Sequence, residues 1–245
     1  MELEKAVCLI TGGTKGIGAA TALALTKRGA RVAIVGRNLS ETAAALQERD
    51  GKIFSIAADV SKPDEARRCI RETVKHFGAL DVLMHSAGGP VGQKFLDLKT
   101  ETWMAAFDVH LHAIFHLCQE AIPFMQKQRR GSIILVSSAA GLRGVLSATA
   151  YQVVKGALPQ FARALAYEFA KDNIRVNCIA PGVIRTAFHA KMTPEVRQNN
   201  LANRIPLARE GTAEQVADLT CELIANDYIT GETVAIDGGL TMRIC

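Results

Sequence analysis

Short apolar runs alternate with longer amphipathic ones along the whole chain, and this alternation restricts the possible folds more than any other feature. Ala6 to Thr11, Arg31 to Val35, Lys52 to Ala57, Asp81 to Ser86, Gly131 to Ser137, Ile174 to Ile179 and Thr233 to Ile236 have the length and composition of strands. Between them, Ile17 to Arg28, Leu39 to Arg49, Pro63 to Phe77, Glu101 to Lys127, Ala150 to Lys171 and Ala213 to Ala225 have helical length and periodicity. The repeat is βαβ, which calls for an α/β fold: a parallel sheet with helices on both faces. Right-handed crossovers leave few topologies to choose from. With 245 residues and no low-complexity linker or internal repeat, one domain over 1–245 is the simplest division.

Local chemistry marks some boundaries. Ser61 before Pro63 and Asp64, and Thr100 before Glu101, are expected helix starts, where a hydroxyl caps free N–H groups and an acid favours the positive end. Gly29, Gly51 and Gly78 are expected to close helices in the left-handed conformation. Gly182 to Gly211 is the least regular stretch and reads as a mobile flap over a site.

Composition narrows the class of protein. With 49% hydrophobic and 22% charged residues, the chain is too apolar to be disordered, and no run of about 18 apolar residues suggests a membrane span. The net charge of +5 is spread along the chain, which suits an anionic ligand; no basic stripe interleaved with aromatics points to nucleic acid. Cys8, Cys69, Cys118, Cys178, Cys221 and Cys245 form neither a CxxC pair nor a metal-ligand cluster, so a reducing compartment and no metal are expected. The N-terminus opens on Glu2 and Glu4 rather than the basic flank of an export signal, which makes the cytoplasm the expected location.

Gly12, Gly16 and Gly18 directly follow the first strand and open the first helix. Gly12 permits a tight turn, Gly16 lets a phosphate approach the backbone, and Gly18 lets the helix pack closely on the sheet. Free N–H groups and the helix dipole would then hold a pyrophosphate. The spacing is neither the usual GxGxxG nor a P-loop. At the end of the second strand, where an NAD site usually has an acid, the chain has Gly36-Arg37-Asn38. Arg37 can pair with a 2′-phosphate through its planar fork, and Lys15 can add a second charge. NADP(H) is therefore favoured over NAD(H).

Tyr151 and Lys155 stand four residues apart on a helical segment and share a face, a pairing that alone is weak. Ser138 closes a strand thirteen residues before Tyr151. Hydride transfer to a carbonyl needs such groups. Tyr151 would give a proton to the developing alkoxide, Ser138 would hydrogen-bond the same oxygen, and Lys155 would lower the tyrosine pKa and hold the nicotinamide ribose.

With these motifs in place, the chain resembles the classical short-chain dehydrogenase/reductase family over essentially its whole length. The glycine motif of the family matches Thr11-Gly12-Gly13-Thr14-Lys15-Gly16-Ile17-Gly18, and its acidic adenine contact matches Asp59-Val60. Its serine, tyrosine and lysine match Ser138, Tyr151 and Lys155. Its proline-glycine segment matches Pro181-Gly182-Val183-Ile184-Arg185-Thr186, and its late Asp-Gly-Gly matches Asp237-Gly238-Gly239. The resemblance implies a seven-stranded Rossmann-type three-layer sandwich, nicotinamide bound near Val183 to Thr186, and a homotetramer. It is most similar to the 3-oxoacyl-acyl-carrier-protein reductase and glucose-dehydrogenase-like branch.

Two positions depart from the family pattern. Its usual Asn-Ala-Gly is Ser86-Ala87-Gly88 here, preceded by His85, and the shorter serine leaves some contacts with the central sheet to water. His110 stands where the family usually has an asparagine holding a water in a proton relay that ends at the lysine; a histidine either rebuilds that relay or weakens it. His85, His112 and His116 read as structural side chains rather than ligands.

The expected reaction is NADPH-dependent reduction of a carbonyl to a secondary alcohol. The alternatives are an NADP(H)-binding sensor or structural homologue with little turnover, and an NAD-dependent alcohol or sugar dehydrogenase. The substrate pocket is expected between Gly88 to Phe95, Gly141 to Leu146 and Phe188 to Leu201, with Gly144, Val145 and Leu146 as an apolar wall. Arg143 reads equally as a contact for an anionic carrier or as a solvated cation. Phe107, Ile114, Phe115, Phe161 and Phe169 widen the apolar faces of two helices, as burial by a partner subunit would require.

Overall fold

The computed structural model describes residues 1–39, 52–190 and 192–242. Seven strands form one parallel sheet: β1 (Val7–Thr11), β2 (Arg31–Gly36), β3 (Ile53–Ala57), β4 (Val82–His85), β5 (Gly131–Val136), β6 (Ile174–Pro181) and, last in the chain, β9 (Thr233–Ile236). Their order across the sheet is β3-β2-β1-β4-β5-β6-β9. A second, two-stranded parallel pair, β7 (Ile184–Arg185) and β8 (Gly211–Thr212), lies in the segment after β6. The helices are α1 (Gly16–Lys27), α2 (Pro63–Phe77), α3 (Thr100–Phe107), α4 (Ala113–Gln128), α5 (Thr149–Glu168), α6 (Pro194–Asn199) and α7 (Ala213–Ala225).

Successive strand residues divide between the faces. Leu9, Ile133 and Leu135 point into a core shared with α2, α4 and α5, whereas Cys8, Ile10, Ile134 and Val136 point into one shared with α1 and α7. This is why the strands read as continuous apolar runs: both faces are buried. At the N-terminal edge, Asp81 joins three strands. Its carboxylate accepts from the Val7 amide at 2.9 Å and from Arg130 at 2.6 and 2.8 Å, and its backbone bonds Val7 and Ser132.

Several boundaries differ from expectation. Ser61 does not cap α2: Lys62 holds the cap position without a side-chain bond, and the Ser61 hydroxyl donates to Asp59 at 2.7 Å. Thr100 is the first residue inside α3 rather than its cap. The helix expected over Glu101 to Lys127 is interrupted by a π turn over Asp108–His112, and Ala150 to Lys171 ends in a 3-10 turn over Ala170–Asp172. Gly29 and Gly78 are left-handed as expected, at φ +93° and +81°. The helix expected over Leu39 to Arg49, together with Gly51 and Cys245, lies outside the described residues. Ile114 is a core residue rather than part of an open face, and Phe161 and Phe169 pack against the same core; Phe115 is 45% exposed. Among the described residues, no helix is long and apolar enough to cross a membrane.

Replacing Asp81 with Ala strands the buried Val7 amide and removes the Arg130 contact. Stability should fall by about 2 kcal/mol in urea unfolding, with m unchanged; an unchanged midpoint would show that the junction contributes nothing.

Candidate active site

The strand order reverses between β1 and β4, and the C-terminal strand ends around that point open into a cleft of 1580 Å³. Its floor is the glycine turn. Gly12 adopts φ +67°, and a Cβ there would stand 2.8 Å from the Ala87 amide nitrogen, so the turn after β1 and the turn after β4 meet with no room for a side chain. Gly18 does not line the cleft; a Cβ there would collide with the Gly12 carbonyl, and its role is helix packing. The N-cap of α1, Lys15, makes no side-chain capping bond, so the first-turn amides have no hydroxyl or carboxylate cap from that residue. Gly16 adopts φ +53° with Thr186 opposite. This cradle fits a dinucleotide pyrophosphate.

The other expected cofactor contacts, Thr14, Ile17, Arg37, Val60, Ser86, Gly88, Pro181, Gly182, Val183 and Ile184, also line the cleft. Arg37 is exposed at the end of β2, near Asp59. Burial pushes the Asp59 carboxyl up, but hydrogen bonds from Ser61 and the charges of Arg37 and Lys62 outweigh it and hold it below the ordinary value. Across the cleft, a Cβ on Gly182 would press on Asp237, whose carboxylate holds the final turn through Gly239 and Thr241.

Three consecutive residues at the end of β5 organise the centre. The Val136 carbonyl accepts from Lys155 Nζ at 2.7 Å, the Ser137 hydroxyl donates to the Lys155 carbonyl at 2.7 Å, and the Ser138 hydroxyl lies near enough to the Tyr151 phenol to favour its ionised form. Ser138 Oγ also accepts the Ala140 amide at 3.2 Å, which fixes its rotamer. Tyr151 and Lys155 occupy one face of α5, with Nζ 5.7 Å from the ring centroid. Sequence reasoning found Ser138 but missed Val136 and Ser137. Only the doubled serine hinted at them, because a carbonyl acceptor has no side-chain signature.

Burial governs the ionisation of this centre. It pushes Lys155 down from 10.5 to about 8. It raises the Tyr151 phenol above its ordinary value, against a smaller lowering by Ser138. The expectation that Lys155 depresses the phenol is therefore not met here: the amine is turned to the Val136 carbonyl and desolvation prevails.

His110 lies beside Tyr151, its ring perpendicular at 5.6 Å between centroids. Its Nε2 bonds the Gly89 carbonyl at 3.2 Å and its Nδ1 is buried without a partner, so neither nitrogen engages Tyr151 or Lys155. His85 is buried and hydrogen-bonded at both nitrogens, to Thr11 Oγ1 at 2.8 Å and the Val109 carbonyl at 3.0 Å. The join between β1 and the turn at Ser86 is made by protein groups: the Ser86 amide bonds the Thr11 carbonyl and the Ala87 amide the Thr11 hydroxyl. His112 pairs with Asp108 and His116 with Arg67, apart from His110.

Where the substrate pocket is expected, the cleft is lined by Pro90 to Gln93, Arg143 to Val145, Phe188, Met192 and Val196. Leu146, expected in its wall, is 94% exposed and outside it; Phe95 and Leu201 are also outside. Phe188 packs toward Tyr151 at 6.0 Å. The segment after β6 is pinned by Glu210, a buried carboxylate that pairs with Arg185 at 3.3 Å and Arg197 at 2.9 Å.

The profile of the family described as "Enoyl-(Acyl carrier protein) reductase" matches residues 12–241. The chain is 36% identical to the 3-oxoacyl-[acyl-carrier-protein] reductase of Thermotoga maritima, over 99% of this chain and 100% of that protein. It is also 36% identical to carbonyl reductase family member 4 of Xenopus laevis, covering 97% and 99%. Among solved structures, the TT0495 protein of Thermus thermophilus superposes with a TM-score of 0.91 at 34% identity, covering 98% of this chain and 100% of that one.

The depressed Lys155 has a consequence for stability. Below about pH 8 the amine is protonated in both folded and unfolded chains and contributes no slope. Between about 8 and 10.5 only the unfolded chain keeps the proton, so this residue's contribution to stability rises with pH. The difference in unfolding free energy between wild type and Lys155→Met should therefore be flat below pH 8 and climb above it; parallel curves throughout would contradict the desolvated amine.

Proposed function

The chain belongs to the classical short-chain dehydrogenase/reductase family and is an oxidoreductase, and from this premise we propose an NADPH-dependent reductase that converts a carbonyl to a secondary alcohol. The observation that carries this reading is the gathering of Ser138, the protonated Tyr151 phenol and Lys155 on one wall of the cleft, where the phenol can reach a carbonyl oxygen. The nicotinamide, when bound, supplies the hydride in reduction and takes it back in oxidation. Tyr151 gives its proton to the carbonyl oxygen as that oxygen gains charge, and Ser138 holds the same oxygen by hydrogen bonding. Lys155 Nζ, held at the Val136 carbonyl on the same face of α5 as the phenol, would bind the nicotinamide ribose. In the reverse direction the phenolate takes the proton from the alcohol.

The glycine turn and the start of α1 hold the pyrophosphate, Asp59 and Val60 border the adenine, and Val183 to Thr186 flank the nicotinamide. Arg37 and Lys15, both exposed at the same end of the cleft, bind the 2′-phosphate and favour NADPH over NADH. Exposed Met104, Phe115, Val153 and Tyr167 on α3, α4 and α5 support a homotetramer built on these helices. Five free, buried cysteines among the described residues are in keeping with a reducing, cytoplasmic setting.

The test is steady-state oxidation of NADPH and NADH against acetoacetyl thioesters, simple ketones, diketones and sugars. Tyr151→Phe should lower kcat by about a hundredfold or more while NADPH still binds with its wild-type Kd; undiminished turnover would remove Tyr151 as the proton donor. Arg37→Asp should shift the ratio of NADPH to NADH dissociation constants toward NADH by about tenfold or more. An unchanged ratio would overturn the cofactor assignment.

A further inference from the structure

His85 and His110 are connected through one backbone turn. A carbonyl oxygen only accepts, so the proton of His85 is on Nε2, donated to Val109, and that of His110 is on Nε2, donated to Gly89. His85 Nδ1 must then accept from the Thr11 hydroxyl, whose oxygen in turn accepts the Ala87 amide. Every direction in this chain of hydrogen bonds, from the turn after β4 through β1 to the helix opposite, follows from those two carbonyls.

Val109 lies in the π turn over Asp108–His112. The Ala113 amide, which in an α-helix would bond Val109, bonds Asp108 instead. The Val109 carbonyl accepts from His85, and the next residue, His110, is directed into the cleft with its ring edge against Tyr151. Any Cβ on Gly88 would overlap the His110 ring, so the glycine leaves the space that the ring fills. Burial pushes His85 down to about 3 and His110 down to about 2, which keeps both neutral and preserves this pattern at working pH.

We propose that His85 is a positioning residue for Tyr151: by accepting Thr11 and donating to Val109 it holds the π turn that sets the His110 ring against the phenol. The proposal rests on the reading of Tyr151 as acid and base, and it acts through the placement of one ring rather than through contact with substrate. In a regular α-helix Val109 would be bonded within the helix, the residues beyond it would rotate, and the His110 ring would leave the side of Tyr151. Water would then reach the phenol.

The measurement that separates positioning from simple stabilisation is the tyrosinate absorbance titration, which needs no turnover. The chain has three tyrosines, and Tyr151→Phe identifies the Tyr151 contribution. His85→Leu, which cannot donate to Val109, should lower the Tyr151 titration midpoint by about half a pH unit as burial is relieved. Its kcat should fall about tenfold with KM within about twofold. His85→Gln, whose amide can reach the same carbonyl, should restore both to within about threefold. Wild-type kcat and titration in folded His85→Leu, or a His85→Gln no better than His85→Leu, would overturn the proposal. If His85→Leu does not fold, Thr11→Val carries the test: it should move the midpoint the same way by a smaller amount, and an unmoved midpoint would overturn it. Failure of the underlying reading would appear separately, as turnover surviving in Tyr151→Phe while the titration still reports the placement of the ring.

Discussion

The close approach of two backbone turns, after β1 and after β4, is the constraint on which the rest of the site depends. The crossovers from these neighbouring strands leave in opposite directions and open the cleft between them. At the floor of the cleft the turns touch, and the glycine at position 12, with Ala87 against it, lets them do so. Everything above that floor is referred to it: Thr11 bonds the Ser86 and Ala87 amides, His85 bonds Thr11, and the helix beginning at Gly16 starts from the same turn.

Desolvation is the second organising effect, and it acts on opposite charges in a consistent way. Lys155 loses affinity for its proton, the Tyr151 phenol gains it, and both buried histidines stay neutral. Near neutral pH the centre therefore keeps one charge, the Lys155 cation, among neutral groups, while the exposed cations Arg37 and Lys15 line another part of the cleft. An anionic ligand would meet exposed positive charge there and a single buried cation at the hydrogen-bonding centre.

Much of this was legible in the sequence because it was written in side chains with strong local preferences. Pro63–Phe77, Ala213–Ala225 and Thr233–Ile236 have the bounds that their apolar periodicity suggests. Gly12 and Gly18 were legible because only glycine fits their surroundings. The π turn was not: widening one helical turn leaves the apolar pattern of Glu101 to Lys127 nearly intact, and its stabilising partner, His85, comes from a different strand. Ser61 and Thr100 do not cap their helices, because Asp59 competes for the serine and the chain enters the helix one residue earlier than the threonine requires. The orientation of Lys155 was invisible because its partner is a backbone carbonyl, and every residue has one.

The end of β5 has a consequence for the fidelity of assembly. Val136 and Ser137 fix the amine and the backbone of Lys155, and Ser138, next in sequence, places its hydroxyl near the phenol one helical turn away, so three positions of the site share a single origin on one strand. A one-residue slip of β5 between β4 and β6 would exchange the residues facing the two cores and displace all three anchors together. A misregistered chain thus has no way to present half of the centre; it loses core packing and chemistry at once. The same residues that orient the site act as a check on the register of the central sheet, and an assembled centre is evidence that the strands around it paired correctly.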